Sequence, residues 1–172
     1  HTQPRIRIDL RKVEQAQVGI GFPTYSYFDT RLPALRLLSI ILGGNMSSRL
    51  FIQVRERRGL AYFISSQVTV YQDTGNLLIH AGLDGSRLHE ALKTIISELV
   101  RIREKGVTEK ELKRACDHMQ GKLILNMEDS SSRAQWFAQQ QLLTGKVDTF
   151  EDNAKQLRAV SVSDVQAVGK DI

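Results

Sequence analysis

A guanidinium and a phenol held side by side can clamp a carboxylate or a peptide carbonyl, the arginine as a fork and the tyrosine through one hydroxyl bond. Arg55 and Tyr62 are the residues of this chain whose placement raises that chemistry. They stand in LGGNMSSRLFIQVRERRGLAY, Leu42 to Tyr62, where an arginine-loaded helix runs into an aromatic strand. On a helical wheel, Leu50, Phe51 and Val54 form the stripe that faces a core, and Arg55 falls on its flank. Tyr62 opens the strand that leaves this helix, so both side chains can project over one rim of a sheet. If charge develops on a bound carbonyl, both would stabilise it. The same spacing has a plainer reading: Arg55, Arg57 and Arg58 suit the negative end of a helix dipole, and Tyr62 simply packs. Spacing alone leaves both open.

Other chemistry finds little support. The histidines are His1, His80, His89 and His118, and no H-E-x-x-H or H-x-x-E-H pair exists. Such one-face spacing is what lets a helix present two imidazoles to zinc. Each histidine therefore reads as structural or superficial, and no metal site is expected in this chain. The turn LGGNMSS has no lysine to make it a phosphate-binding loop, and no serine sits in a nucleophile elbow. Cys116 stands alone in a helical context suited to packing, so there is no disulfide framework to read.

The elements that must position Arg55 and Tyr62 are legible from periodicity. Val13 to Phe22 alternates as a strand, with Ala16, Val18, Ile20 and Phe22 on one face. Leu32 to about Leu42 has helical spacing and is expected to end on Gly43-Gly44 as a C-terminal cap. Ser47 or Ser48 is expected to cap the next helix, which stops at Gly59. From Leu60 the period becomes two, with Tyr62, Ile64, Ser66, Val68 and Val70 pointing one way. QDTGN turns the chain, and LLIHAGL returns as the hairpin partner. A helix from Ser86 to about Lys105 closes on Gly106, and Thr108 with Glu111 makes a capping box for a helix to about Met127. A helix holding Trp136, Phe137 and Leu142 and two short ones complete the chain.

This order predicts an α+β fold: a two-layer sandwich, mainly antiparallel sheet with helices on one face. At 172 residues the chain reads as a single domain, 1–172. It opens on His1 and closes in a helix, so it is expected to be a fragment of a longer protein, with one further strand elsewhere. The formal net charge is +5 and the pI about 9.5, but acids and bases interleave, as in RIREKGVTEKELKRACD. A solvated surface accounts for that better than nucleic-acid binding, which would need aromatic residues among the bases. No apolar run approaches the ~20 residues of a membrane helix, and LRLLSIILGG is broken by Arg36 and Ser39.

The block LGGNMSSRLFIQVRERRGLAY resembles the signature of the C-terminal half of M16 metallopeptidases, the pitrilysin and mitochondrial-processing-peptidase family. The likeness extends from EQAQVGIGFP through GLDGSRLHEAL to GVTEKELKRACDHMQGKLILNMEDSSSRAQWFAQQQLLTG, nearly the whole chain. It implies two homologous α+β halves facing each other as a clamshell, the N-terminal one carrying H-x-x-E-H and zinc. The C-terminal half would carry no metal and no catalytic residue of its own. It would contribute an arginine and a tyrosine seven residues apart, here Arg55 and Tyr62, to bind substrate carbonyls near the scissile bond of a zinc-assisted peptide hydrolysis. Cofactors would thus be none in this chain and zinc in the parent protein or a partner. The implied partners are an H-x-x-E-H-bearing half, in the same chain or another subunit, and a peptide substrate, in a homo- or heterodimer without a membrane span. The resemblance also admits an inactive subunit that works only with a zinc-bearing partner chain, or an M16-like scaffold without peptidase role. GGNMSS is far shorter than the glycine-rich loop of processing-peptidase non-catalytic subunits, which favours a bacterial-type member, in the periplasm, cell envelope or cytoplasm. Asn45 stands where the family often has a third glycine.

Overall fold

The computed structural model describes residues 15–172. The expected first strand is β1, Gln15–Thr24; Val13 and Glu14 lie outside the described residues. The chain then forms α1, Leu32–Ser39, and two π-helical segments, Ile40–Gly44 and Phe51–Glu56. β2, Ala61–Val70, and β3, Gly75–Asp84, make the hairpin. A single 3-10 turn leads into α2, Leu88–Lys105. The tail is α3, Glu109–Glu128, α4, Ser130–Thr144, α5, Phe150–Arg158, and α6, Val162–Asp171.

The three strands form an antiparallel sheet in the order β1-β3-β2. β3 sits in the middle because it is the most continuously apolar, and Leu77, Ile79, Ala81 and Leu83 bury their side chains under the helices. Ala16, Val18, Ile20 and Phe22 of β1 pack on the same side, as the alternation predicts. α1 fills the space between β2 and α6, with Leu35 and Leu37 wholly out of water. Burying leucine contributes on the order of 1.5–3 kcal/mol per side chain. At the end of β1, the Tyr25 hydroxyl donates to Asp171 at 2.7 Å and Arg31 lies 3.9 Å over the Tyr25 ring, tying α6 to the start of α1. The expected two-layer α+β sandwich is what the chain forms.

Two local expectations differ from the structure. Gly43 and Gly44 do not cap α1 in the left-handed region; positive φ occurs at Gly59, Gly106 and Gly145. The helix instead widens into a π turn there, and Gly43 is needed for approach: a Cβ on it would sit 2.7 Å from the Ser66 backbone nitrogen. Nor does a serine side chain cap the next helix. Asn45 accepts the Ser47 N–H at 2.8 Å, and the Ser48 hydroxyl donates to the Asn45 carbonyl at 2.6 Å. An Asx turn starts the helix, so the residue in the third-glycine place has a local role of its own.

Candidate functional site

The segment carrying Arg55 is anchored from both sides. Leu50 and Val54 are fully buried beneath it. From its N-terminal end, Arg49 reaches α3: Nε donates to Glu111 Oε1 at 2.7 Å, and Nη2 donates to Glu111 Oε2 and to the Gly106 carbonyl, each at 2.9 Å. Glu111 also accepts the Thr108 N–H at 2.8 Å, completing the capping box of α3. Burial opposes the Glu111 carboxylate, but the Arg49 guanidinium and the Thr108 N–H outweigh it and hold its pKa down to about 2.

The end of the segment is locked more tightly still. The Arg57 N–H donates to Ile52 at 2.9 Å, the Gly59 N–H to Arg55 at 3.1 Å, and the Leu60 N–H to Val54 at 2.9 Å. Gly59 takes φ +59°, the reversal that lets those carbonyls be satisfied. Leu60 is then driven into the core, 0% exposed, while its carbonyl accepts the Asp84 N–H from the end of β3 at 3.1 Å. One residue therefore joins helix end, core and sheet.

Immediately afterwards the β2–β3 register slips. Ala61 faces Leu83 and Phe63 faces Gly82, so Tyr62 is the extra residue of a β-bulge. This corrects the expected alternation. Ala61 and Ile64 are the buried pair, and Tyr62 leaves the face of Ile64, Ser66 and Val68 and stands 57% exposed. Gly82 makes room for the displaced neighbour, since a Cβ there would lie 2.5 Å from the Phe63 ring. Arg55 is exposed as well, its guanidinium carbon 5.0 Å from the centre of the Phe51 ring one turn earlier. The two predicted residues thus stand exposed on either side of one braced turn, with exposed Glu56 to Gly59 and buried Leu60 and Ala61 between them.

The remaining candidates stay apart. His80 is exposed on the outer sheet face with its ring 4.9 Å from that of Phe63, His89 lies in the first turn of α2, and His118 is exposed on α3. Among the described residues no three His, Cys, Asp or Glu side chains could hold a metal ion. Cys116 is buried, which pushes its thiol pKa up and leaves it unreactive. No helix of the described residues is long and apolar enough to cross a membrane.

Sequence reasoning missed Arg49 and the bulge. Glu111 was visible as half of a capping box, but its guanidinium partner is 62 positions away. The bulge hides in Leu60–Ala61–Tyr62–Phe63–Ile64, where every residue is apolar or aromatic and there is no alternation to break.

The family profile described as "Peptidase M16 inactive domain" matches residues 1–119. An uncharacterized zinc protease of Streptomyces coelicolor is 36% identical over 168 residues, 98% of this chain and 37% of the relative. One of Bacillus subtilis is 34% identical over 172 residues, 100% of this chain and 42% of the relative. The chain therefore spans about two fifths of the length of these curated relatives. A crystal structure of a peptidase M16 inactive domain from Pseudomonas fluorescens superposes with a TM-score of 0.80 at 25% identity, over 92% of this chain and 38% of that one.

Proposed function

The chain belongs to the M16 peptidase family as its inactive domain, and on that premise we propose that it is the substrate-holding wall of a zinc peptidase. In this reading residues 1–172 are one C-terminal-type domain of a longer two-half protein, and the half with the metal lies outside them. Among the described residues the scattered histidines do not fit zinc, and no step of the reaction is assigned to the metal. What it supplies is a grip. Arg55 and Tyr62 donate hydrogen bonds to carbonyl oxygens of a bound peptide near the bond to be cut.

The observation that carries this reading is the bulge at Tyr62. A phenol projecting from an undisturbed β2 on the Ile64 side would be buried. The extra residue aims it into solvent, directly after the turn that presents Arg55. Bulges re-aim side chains in this way beside active sites. The rigid turn also lowers the entropy lost when the pair closes on a substrate. If the two donors strengthen as charge develops on the carbonyl, they act on the rate and not on affinity alone.

The test is peptide hydrolysis by the assembled protein. Arg55→Ala is expected to lower kcat/KM by about 10²–10³, the scale of losing one oxyanion donor, and Tyr62→Phe by less. Unchanged turnover in both variants would overturn the assignment.

A further inference from the structure

Arg36 interrupts the most apolar stretch of the chain, and the proposed grip makes no use of it. It lies on α1 between Leu35 and Leu37, both fully buried. Burial holds its pKa below the usual arginine value, an effect the Tyr27 phenol partly offsets. Among the described residues no carboxylate pairs with it. Its surroundings are a cleft of about 1070 Å³ between α1 and the helices α3 to α6.

The cleft has the makings of a peptide seat. Leu32, Met119, Leu123 and Val168 supply apolar floor, and Trp136 forms a wall, stacked on Phe150 at 4.9 Å. Gln139, Asn126 and Asn153 line it with amides that both donate and accept, as a bound backbone requires. Lys122 and Lys146 add positive charge. Of the acids present, Asp29 is paired with Arg31 at 2.7 Å, whereas Asp164 accepts the Ser161 hydroxyl at 2.6 Å in the capping box of α6 and keeps its charge. The Asp148 carboxylate accepts from Gln156 at 3.4 Å, and the Asp148 N–H donates to the Gln140 side-chain oxygen at 3.0 Å. With Arg31 and Asp29 paired, Arg36, Lys122 and Lys146 against Asp148 and Asp164 leave one positive charge in excess, which favours an anionic visitor, and the volume exceeds the ~300–1,000 Å³ of ordinary small-molecule pockets.

We propose that this cleft receives a segment of the protein's other half, with an aspartate or glutamate of that segment against Arg36 and apolar side chains against Leu123 and Trp136. The inference rests on the two-half reading above and gives the second half a place to dock. The curated relatives are more than twice as long as this chain, so the larger part of such a protein is available as occupant. A carboxylate meeting the guanidinium as a fork offsets the desolvation that Arg36 already bears. Val70, which lines the cleft, and Tyr62 lie near opposite ends of β2, about 25 Å apart at strand rise. A segment seated here leaves the grip open.

Zero-length carbodiimide cross-linking of the full-length protein tests it, using mixed isotope-labelled and unlabelled material to separate links within a molecule from links between molecules. Lys122 or Lys146 is expected to join an acid outside residues 1–172 of the same molecule. Arg36→Glu should reduce that link at least about five-fold, and Arg36→Lys should retain it. Lys122→Glu, an exposed change on α3 that leaves the core intact, should weaken the Lys146 link as a second check. In parallel, hydroxyl-radical oxidation of Met119 and Trp136 should be several-fold faster in Arg36→Glu than in the unsubstituted protein, with Met46, 76% exposed, as the internal reference. Links confined to acids of residues 1–172, links only between molecules, or links only to added substrate peptide would each overturn the proposal. So would oxidation of Met119 and Trp136 at the same rate in Arg36→Glu and in the unsubstituted protein. None of these readouts needs peptidase turnover, so failure of the Arg55 and Tyr62 assignment is seen separately.

Discussion

The turn from Leu50 to Ile64 and the helical hairpin of α3 and α4 are built in opposite ways. Around Leu60 each anchoring side chain is buried and the backbone is bonded to helix and sheet at once. Along the hairpin the first turns of α3 are held through Leu112, Ala115 and Cys116 and α4 through Gln140 and the Trp136–Phe150 stack, whereas Ile124 and Leu125 are exposed and Leu142 is 83% exposed. The first region is complete within this chain. The second leaves apolar surface that the described residues do not cover. A rigid frame suits residues that must meet a substrate in fixed geometry, and open helices suit contact with further protein.

The contrast can be broken most sharply at Leu60. Leu60→Ala removes the side chain buried where helix end, core and sheet meet and is expected to cost about 3 kcal/mol in denaturant unfolding, within the usual range for buried leucine. A loss under about 1 kcal/mol would mean the frame is not centred there. Gly43→Ala forces a methyl group against the Ser66 backbone and is expected to cost about 2 kcal/mol, because backbone on both sides cannot yield as a side chain would.

The Arg49–Glu111 bridge sharpens the comparison by pH. The folded pKa of Glu111, about 2, lies below the ~4.3 of an unfolded glutamate. Its contribution is therefore complete above the unfolded value and fades as pH falls from about 4.3 towards 2. The pair is partly solvated, so the amount is on the order of 1–2 kcal/mol. Arg49→Met should flatten that part of the stability–pH curve, and an unchanged curve would remove the bridge from the account. The smallest effect belongs to the hairpin: Leu142→Ser in residues 1–172 is expected to shift stability by less than about 0.5 kcal/mol. A loss above about 1 kcal/mol would mean α4 is part of the core.

Much of the fold was legible because it depends on neighbours in sequence. Gly59 and Gly106 ended their helices at positive φ, as their positions just past the last apolar residues at helical spacing implied. The Thr108–Glu111 capping box formed from residues three apart. The hairpin strands paired as their alternation required, except at one point. Arg55 and Tyr62 were singled out by type and spacing, and their exposure agrees with availability to a ligand.

By itself, then, the amino-acid sequence determined the order of elements, the helix stops and the α+β layering, since backbone preference and hydrophobic period act over a few residues. Tertiary structure decided what depends on approach between distant segments. Gly43 proved to be a contact point with β2 and not a cap. Arg49 found Glu111 across the fold. Tyr62 turned outward because Leu60 and Ala61 had already been claimed by the core and by Leu83, so the extra residue had only solvent left to face.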